Sequence, residues 1–287
     1  MRKFTIAAAT ASAILTLSIT NIAPAEAGTI KRTIDFDTRE QANGKIRNLG
    51  AGTVITNQWS NYGLKIDAVS KTGQSKDLTL FNTNCFDHSC SGGDSDLATG
   101  SRFGTTAQGN ALIIQEQTTS TNRAMNSNKT KFLTPDDDAS GGTITFDFSS
   151  NPDANLFSNL VQLDKIALLD LDDNNRGFPT LTAYYYSSTG HQTTKTLTLS
   201  DYQKGSKNVS LISSATGDNS MWEFDFGNLD RVYKLDVGLP GSGAIAYVEY
   251  EQYTRKQVPT EVPEPGAIAG LMALGVLGSG SLLKRKS

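Results

Sequence analysis

Apolar and polar residues alternate one for one in a series of short stretches through the middle of this 287-residue chain, and that spacing decides what the chain can fold into. Thr33-Ile34-Asp35-Phe36-Asp37 is the first, and Gly142–Phe148, Lys195–Leu199, Trp222–Phe226, Arg231–Val237 and Ala244–Tyr250 repeat it. Successive side chains of a strand point to opposite faces, so a period of two marks a strand with one buried face. Ala111–Ile114 and Ile166–Leu169 are unbroken apolar runs, the pattern of inner strands covered on both sides. Clusters of Gly, Asn, Asp and Ser lie between these stretches and supply turn geometry. Only Asn155–Leu163 offers a short helical segment. About a dozen short strands separated by turns predict an all-β fold, an antiparallel β-sandwich. The strand number and the long acidic loops favour a jelly roll over an immunoglobulin-type sandwich. Trp222, on an alternating strand, is expected in the core, while Trp59, beside Asn61 and Tyr62, is open to exposure. Tyr184-Tyr185-Tyr186 must place Tyr185 on the face opposite its two neighbours; one of those faces can stack on a sugar or pack in a core.

The two ends read differently from the middle. Arg2 and Lys3 are followed by an apolar stretch from Phe4 to about Ile22 and by Ala25-Glu26-Ala27. A basic start, an apolar run and an A-x-A site make a secretory signal peptide, removed after Ala27 to leave Gly28 as the mature start. At the other end Val262-Pro263-Glu264-Pro265 precedes an uncharged run, Gly266–Leu283, and then Lys284-Arg285-Lys286. A run of about 18 residues is just long enough to cross a bilayer as a helix. The basic cluster favours the cytoplasmic side, so the rest of the chain is expected outside. The organisation is therefore a signal peptide over 1–27, a β-sandwich domain over 28–253, and a linker with the Pro-Glu-Pro motif over 254–265. A single transmembrane helix over 266–283 and a basic cytoplasmic tail over 284–287 follow.

This order of parts resembles the PEP-CTERM sorting tail of bacterial exported proteins, with Val262, Pro263, Glu264 and Pro265 in the place of the sorting motif. The resemblance implies recognition by an exosortase, a membrane protease-transpeptidase. It also implies transient anchoring in the membrane through the C-terminal helix and delivery to the cell surface or extracellular matrix. A second resemblance runs through Gly109–Glu116, Pro135-Asp136-Asp137-Asp138, Gly141–Phe148 and Leu168–Asp172. This series is similar to a domain that many PEP-CTERM proteins carry, itself like galactose-binding and carbohydrate-binding jelly rolls. It implies the jelly-roll fold and extracellular polysaccharide as a partner.

Charge narrows the chemistry. Of the formal net charge of −3, residues 1–27 account for +1 and residues 284–286 for +3, so the remainder carries −7. An acidic exported domain lacks the basic surface that nucleic acid requires and suits hard cations instead. Asp170-x-Asp172-x-Asn174 spaces three oxygen-bearing side chains as the start of a calcium loop does. It is not an EF-hand, because Asn175 stands at the glycine position and no glutamate closes the loop. Asp94 and Asp96, in Gly92-Gly93-Asp94-Ser95-Asp96, and Asp136-Asp137-Asp138 are two further oxygen-rich loops. Calcium gathers six to eight oxygens, usually from distant segments, so these loops are candidates for a structural Ca²⁺, which jelly rolls of the resembled type often carry. Solvated turn residues are the alternative for each loop alone.

Cys85 and Cys90, the two cysteines, enclose Phe86-Asp87-His88-Ser89. In an oxidising compartment a disulfide is the natural outcome; a metal site on Cys85, His88 and Cys90 lacks a fourth ligand at recognisable spacing. For catalysis the sequence offers little. No Gly-x-Ser-x-Gly elbow occurs, the two histidines are His88 and His191, and carboxylates are too common to mark the pair that glycoside hydrolysis needs. Three classes stay open: a non-catalytic surface or matrix protein, a calcium-dependent glycan-binding module, and an extracellular glycan hydrolase. The first is the expectation.

Overall fold

The alternating stretches become strands. A computed structural model describes residues 27–41, 43–84, 94–116, 131–149, 156–171 and 177–255. In chain order the strands are β1 (Ala27–Ile34), β2 (Thr38–Glu40), β3 (Ile46–Asn48), β4 (Lys65–Val69), β5 (Ser75–Lys76), β6 (Leu78–Asn82) and β7 (Asn110–Ile114). They continue with β8 (Gly142–Asp147), β9 (Leu156–Leu169), β10 (Thr180–Tyr186), β11 (Gln192–Thr198), β12 (Val209–Leu211), β13 (Met221–Leu239) and β14 (Ala244–Arg255). One short helix, α1 (Leu199–Gln203), follows β11. β8 shows the cause plainly: Gly142, Ile144 and Phe146 are buried while Thr143, Thr145 and Asp147 are half-buried.

Twelve strands form one sheet in the order β5-β4-β8-β13-β9-β14-β7-β6, with β1 added to β14, β10 and β12 to β13, and β11 to β10. Every pairing between these strands is antiparallel. β2 and β3 form a separate two-stranded ribbon. The 19-residue β13 has two sets of partners. Its first part, Met221–Val232, runs along β9, and Lys234–Leu239 pairs with β8 and β10. Trp222–Phe226 and Arg231–Val237 are thus not separate strands. The residues between them, Gly227 (φ 66°), Asn228 (55°) and Arg231 (56°), take left-handed backbone and shift the register twice. Bulges of this kind bend a strand and sharpen its twist, so the segment redirects one strand instead of closing a hairpin.

The redirected sheet folds over a shared core. Ile144 and Phe146 of β8 and Leu181 and Ala183 of β10 belong to the same buried cluster as Ile166 and Leu168 of β9 and Val248 and Tyr250 of β14. Phe148, just past β8, meets Tyr250 with ring centres 5.0 Å apart. The result is sandwich-like and all-β. The unbroken apolar runs have a specific reason. Leu112, Ile114, Ile166 and Leu168 face this core. Ala111, Ile113, Ala167 and Leu169 face the other way into a second cluster with Phe81, Leu97, Met221, Ala244 and Ala246. Leu97 sits on a 3₁₀ turn, Ser95–Leu97, in the long connection from β6 to β7, so that connection lies across the outer face. Burying a leucine in this way is worth about 1.5–3 kcal/mol.

One open point is decided and one local expectation corrected. Trp59 is buried, at 2% exposure, and packs edge-on against Phe36 with ring centres 5.5 Å apart. Its polar neighbours are held elsewhere: Asn61 Nδ2 donates to the Glu40 carbonyl at 3.0 Å and the Tyr62 hydroxyl to the Glu40 carboxylate at 3.0 Å. Leu156–Leu163 is not helical but the first half of β9. Leu163 is paired with Leu229 on one side and Tyr250 on the other, and this two-sided pairing overrides a local helical spacing. The Lys195–Leu199 strand stops at Thr198, where Thr198 and Asp201 form a capping box for α1. Trp222 is buried as expected.

Residues 27–256 form one compact unit. The expected signal peptide through Glu26, the Cys85–Cys90 segment with His88, and Gly92, Gly93, Asp172, Asn174 and Asn175 lie outside the described residues. So do the sorting motif Val262–Pro265 and the apolar tail. Among the described residues no helix is long and apolar enough to cross a membrane.

Candidate metal centre

Two of the three acidic loops meet. One carboxylate oxygen each from Asp94, Asp136 and Asp137 lies within 4.8 Å of the others. Asp94 arrives on the β6–β7 connection, held across the sheet by Leu97 three residues on. Asn219 (φ 62°) fastens the same turn from the other side: its Nδ2 donates to the carbonyls of Ser95, Asp96 and Ala98 at 2.6, 2.9 and 3.2 Å. Asp136 and Asp137 arrive on the connection from β7 to β8. The Glu116 N–H bonds the Asp136 carbonyl and the Asp138 N–H bonds the Ile114 carbonyl, which extends the β7 edge and fixes the loop. The Asp137 N–H donates to Asp94 Oδ2 at 3.3 Å. The Gly243 N–H, from the turn between β13 and β14, donates to Asp137 Oδ2 at 2.8 Å.

The electrostatics follow from this crowding. Burial, reinforced by the Asp137 charge, pushes the Asp94 carboxyl up to about 7. Burial also pushes Asp137 up to about 6; the Gly243 N–H and Asp94 oppose this, while the charges of Asp96 and Asp136 add to it. Asp94 and Asp137 thus compete for protons as a pair. Like charges drawn together and partly desolvated favour either a shared proton or a cation. The donor set is three hard carboxylates, which fits Ca²⁺ in chemistry. Asp94, Asp136 and Asp137 would hold the ion, with the rest of its shell from carbonyls and water.

The other acidic candidates take different places. Asp96 acts on Asp137 through its charge. Asp138 points to Lys76, with a 2.6 Å ion pair that is largely buried on both sides. Burial alone would raise the Asp138 pKa, but the Lys76 ammonium and the Ser140 N–H outweigh it and hold the carboxyl below its usual range. Asp170 is buried in left-handed backbone (φ 56°) and is not part of the three-carboxylate group. Its N–H donates to the Ser220 carbonyl at 2.9 Å. Its carbonyl lies close to Gly243, where an added Cβ would be 3.3 Å from the Asp170 and Leu169 carbonyls. Gly243, Asn219 and Gln115, whose Oε1 accepts from the Asp136 N–H at 3.4 Å, are supporting residues that sequence reasoning missed. The Gly-Ser-Gly and Gly-Asp-Asn turns around Gly243 and Asn219 were the available signals.

A second feature lies on β10 and β13. Tyr185 packs against the core, while Tyr184 and Tyr186 share the opposite face with Tyr233, at ring-centre separations of 6.2 and 5.3 Å. The Lys234 ammonium sits 3.9 Å from the Tyr184 ring centre and pairs with Asp236 at 2.9 Å. Gln192 Nε2 donates to the Tyr186 hydroxyl at 3.1 Å. The other histidine of the sequence reading, His191, is exposed in the turn between β10 and β11, with Nδ1 3.0 Å from Thr189 Oγ1. Searched against family models, curated proteins and solved structures, the chain has no match.

Proposed function

We propose that this chain is an exported, non-catalytic protein of the bacterial cell surface or extracellular matrix, whose jelly-roll domain is held together at its acidic end by Ca²⁺. The observation that carries the calcium part is the approach of Asp94, Asp136 and Asp137 from segments more than forty residues apart in sequence. Export and sorting rest on the sequence: the A-x-A site before Gly28, and the Pro-Glu-Pro motif with its apolar run and basic end. β1 is compatible with the expected processing site, because cleavage after Ala27 removes its pair with Arg255 and leaves Gly28–Ile34 paired with β14. In this reading exosortase is the processing partner, and the membrane holds the chain only until the tail is cut.

Calorimetric titration of residues 28–253 with Ca²⁺ tests the site. One ion should bind, Mg²⁺ should compete poorly because it demands a tighter octahedral shell, and Asp94→Asn or Asp136→Asn should remove the heat. Binding that survives both substitutions would dismiss these carboxylates as ligands.

A glycan-binding role is the second reading, favoured by the Tyr184, Tyr186 and Tyr233 face. Half-buried aromatic rings beside polar groups suit sugar rings, which present both C–H faces and hydroxyls. Loss of glycan retention in Tyr186→Ala, with calcium binding intact, would separate the two readings.

A further inference from the structure

The domain is acidic overall, yet one of its clefts is basic. A surface cleft of about 520 Å³ lies between the β2–β3 ribbon and the segment 50–58, and Arg39, Arg47 and Lys131 line it. No acidic side chain lines it among the described residues. Arg39 and Arg47 stand directly opposite each other in the ribbon register. Like charges at facing positions destabilise a strand pair, and a ribbon of two three-residue strands has little stability to spare. Neither guanidinium has a carboxylate partner among the described residues. The Nε of Arg39 is buried without a hydrogen-bond partner. Two forked donors therefore stand side by side at one wall with no carboxylate paired to them among the described residues, and such a pair of guanidiniums suits a planar carboxylate.

The remaining lining is neutral. Asn48 offers an amide, Thr56 a hydroxyl, and Leu49 and Val54 small apolar surface. Such a wall suits hydroxyls and C–H faces more than further charge. Nucleic acid is disfavoured, because the −7 carried by residues 28–283 repels an extended polyanion. A single anionic group is different: screening over about 8 Å at physiological salt leaves the cleft's own cations dominant.

We propose that this cleft binds a uronate-type sugar, with its carboxylate on the Arg39 and Arg47 guanidiniums and its hydroxyls toward Asn48 and Thr56. The proposal rests on the glycan-binding reading for the class of ligand, but it shares no residue with the tyrosine face or the acidic cluster. The opposed arginines also give it a distinctive signature. Removing one of two facing like charges relieves the ribbon while it weakens the site, so stability and binding should move in opposite directions.

The test is calorimetry on residues 28–253 at fixed free calcium with three probes: a galacturonate trisaccharide, the same trisaccharide with its carboxyls reduced to alcohols, and inorganic phosphate. The uronate should bind at least tenfold more tightly than the reduced sugar or phosphate, and less tightly as salt is raised. Arg47→Gln should lower uronate affinity on the order of tenfold to hundredfold, the scale of a lost charge-assisted hydrogen bond, with an unchanged or raised unfolding midpoint. Arg39→Gln should repeat the binding loss. Lys204→Gln, which removes an exposed cation that does not line the cleft, should leave uronate affinity unchanged, so general attraction to positive charge and recognition in the cleft give different results. Equal affinity for the uronate and its reduced form, phosphate binding as tight as uronate, or full uronate affinity in Arg47→Gln would each overturn the assignment.

Discussion

Replacing Asp137 by asparagine should stabilise the calcium-free domain and destabilise the calcium-loaded one relative to the wild type. Asp137 is nearly buried, at 9% exposure, and its pKa rises from the ordinary 3.8 to about 6. A rise of about two units corresponds to roughly 3 kcal/mol against the charged form. The sign follows from proton binding. Between about pH 4 and 7 the folded state holds more protons at Asp94 and Asp137 than the unfolded chain does. The contribution of these two carboxyls to metal-free stability is therefore greatest below that window, falls as pH rises through it, and is lowest above it. Asparagine keeps the volume, can still accept from the Gly243 N–H, and carries no charge. In chelator at pH 8, Asp137→Asn should therefore be more stable by on the order of 2 kcal/mol, after sharing the effect with Asp94. At about 2–4 °C per kcal/mol for a domain of this size, that is roughly 4–8 °C in Tm. At a calcium concentration 100 times Kd the wild type gains about 2.7 kcal/mol, and the variant, short of one ligand, gains far less. The order of the two melting curves should reverse. Scanning calorimetry of both proteins with chelator and with millimolar Ca²⁺ measures this. An Asp137→Asn variant that melts below the wild type by the same margin in both conditions would refute the reasoning and leave Asp137 as an ordinary structural residue.

Three further outcomes are expected. Trp59→Ala should cost about 3–5 kcal/mol, because it empties a closed site against Phe36; a urea midpoint within experimental error of the wild type would return Trp59 to the surface. Mature protein from an exosortase-positive host should begin at Gly28 and lack Lys284-Arg285-Lys286 by mass spectrometry, and an intact basic tail would reject sorting through Pro263-Glu264-Pro265. Exported material should carry a Cys85–Cys90 bridge, so two thiols that alkylate readily without reductant would reopen a metal role for that segment.

Local spacing foretold the strands because burial on one face leaves its mark residue by residue. Ile144 and Phe146, or Leu235 and Val237, alternate in sequence for the same reason they alternate in the core. The same logic failed where a third dimension decided the outcome. Gly227-Asn228 has the chemistry of a hairpin turn, yet β13 continues through it, because both halves find partners already in place, β9 before the bend and β8 and β10 after it. The place of Trp59 stayed open for a similar reason. Its polar neighbours Asn61 and Tyr62 suggest a surface loop, but both reach Glu40, and that contact between distant segments turns the indole inward.

The candidate site was legible as chemistry but not as geometry. Asp94, Asp96 and Asp136–Asp138 could be named from their loops, since clustered carboxylates stand out in any sequence. Which of them converge depends on Leu97. That leucine enters the second apolar cluster with Ile113, Leu169 and Met221, and so carries Asp94 from a connection that starts at the other end of β7 to the loop bearing Asp137. The force that assembles the acidic centre is thus hydrophobic, and it works against the charge repulsion it creates. Lys76 marks the boundary of that conflict: it neutralises Asp138, while Asp136 and Asp137, the two residues before Asp138, lie beside Asp94. The fold thus sets the burial of Leu97 against the repulsion of crowded carboxylates, and the crossing melting curves of Asp137→Asn and the wild type measure whether a cation relieves it.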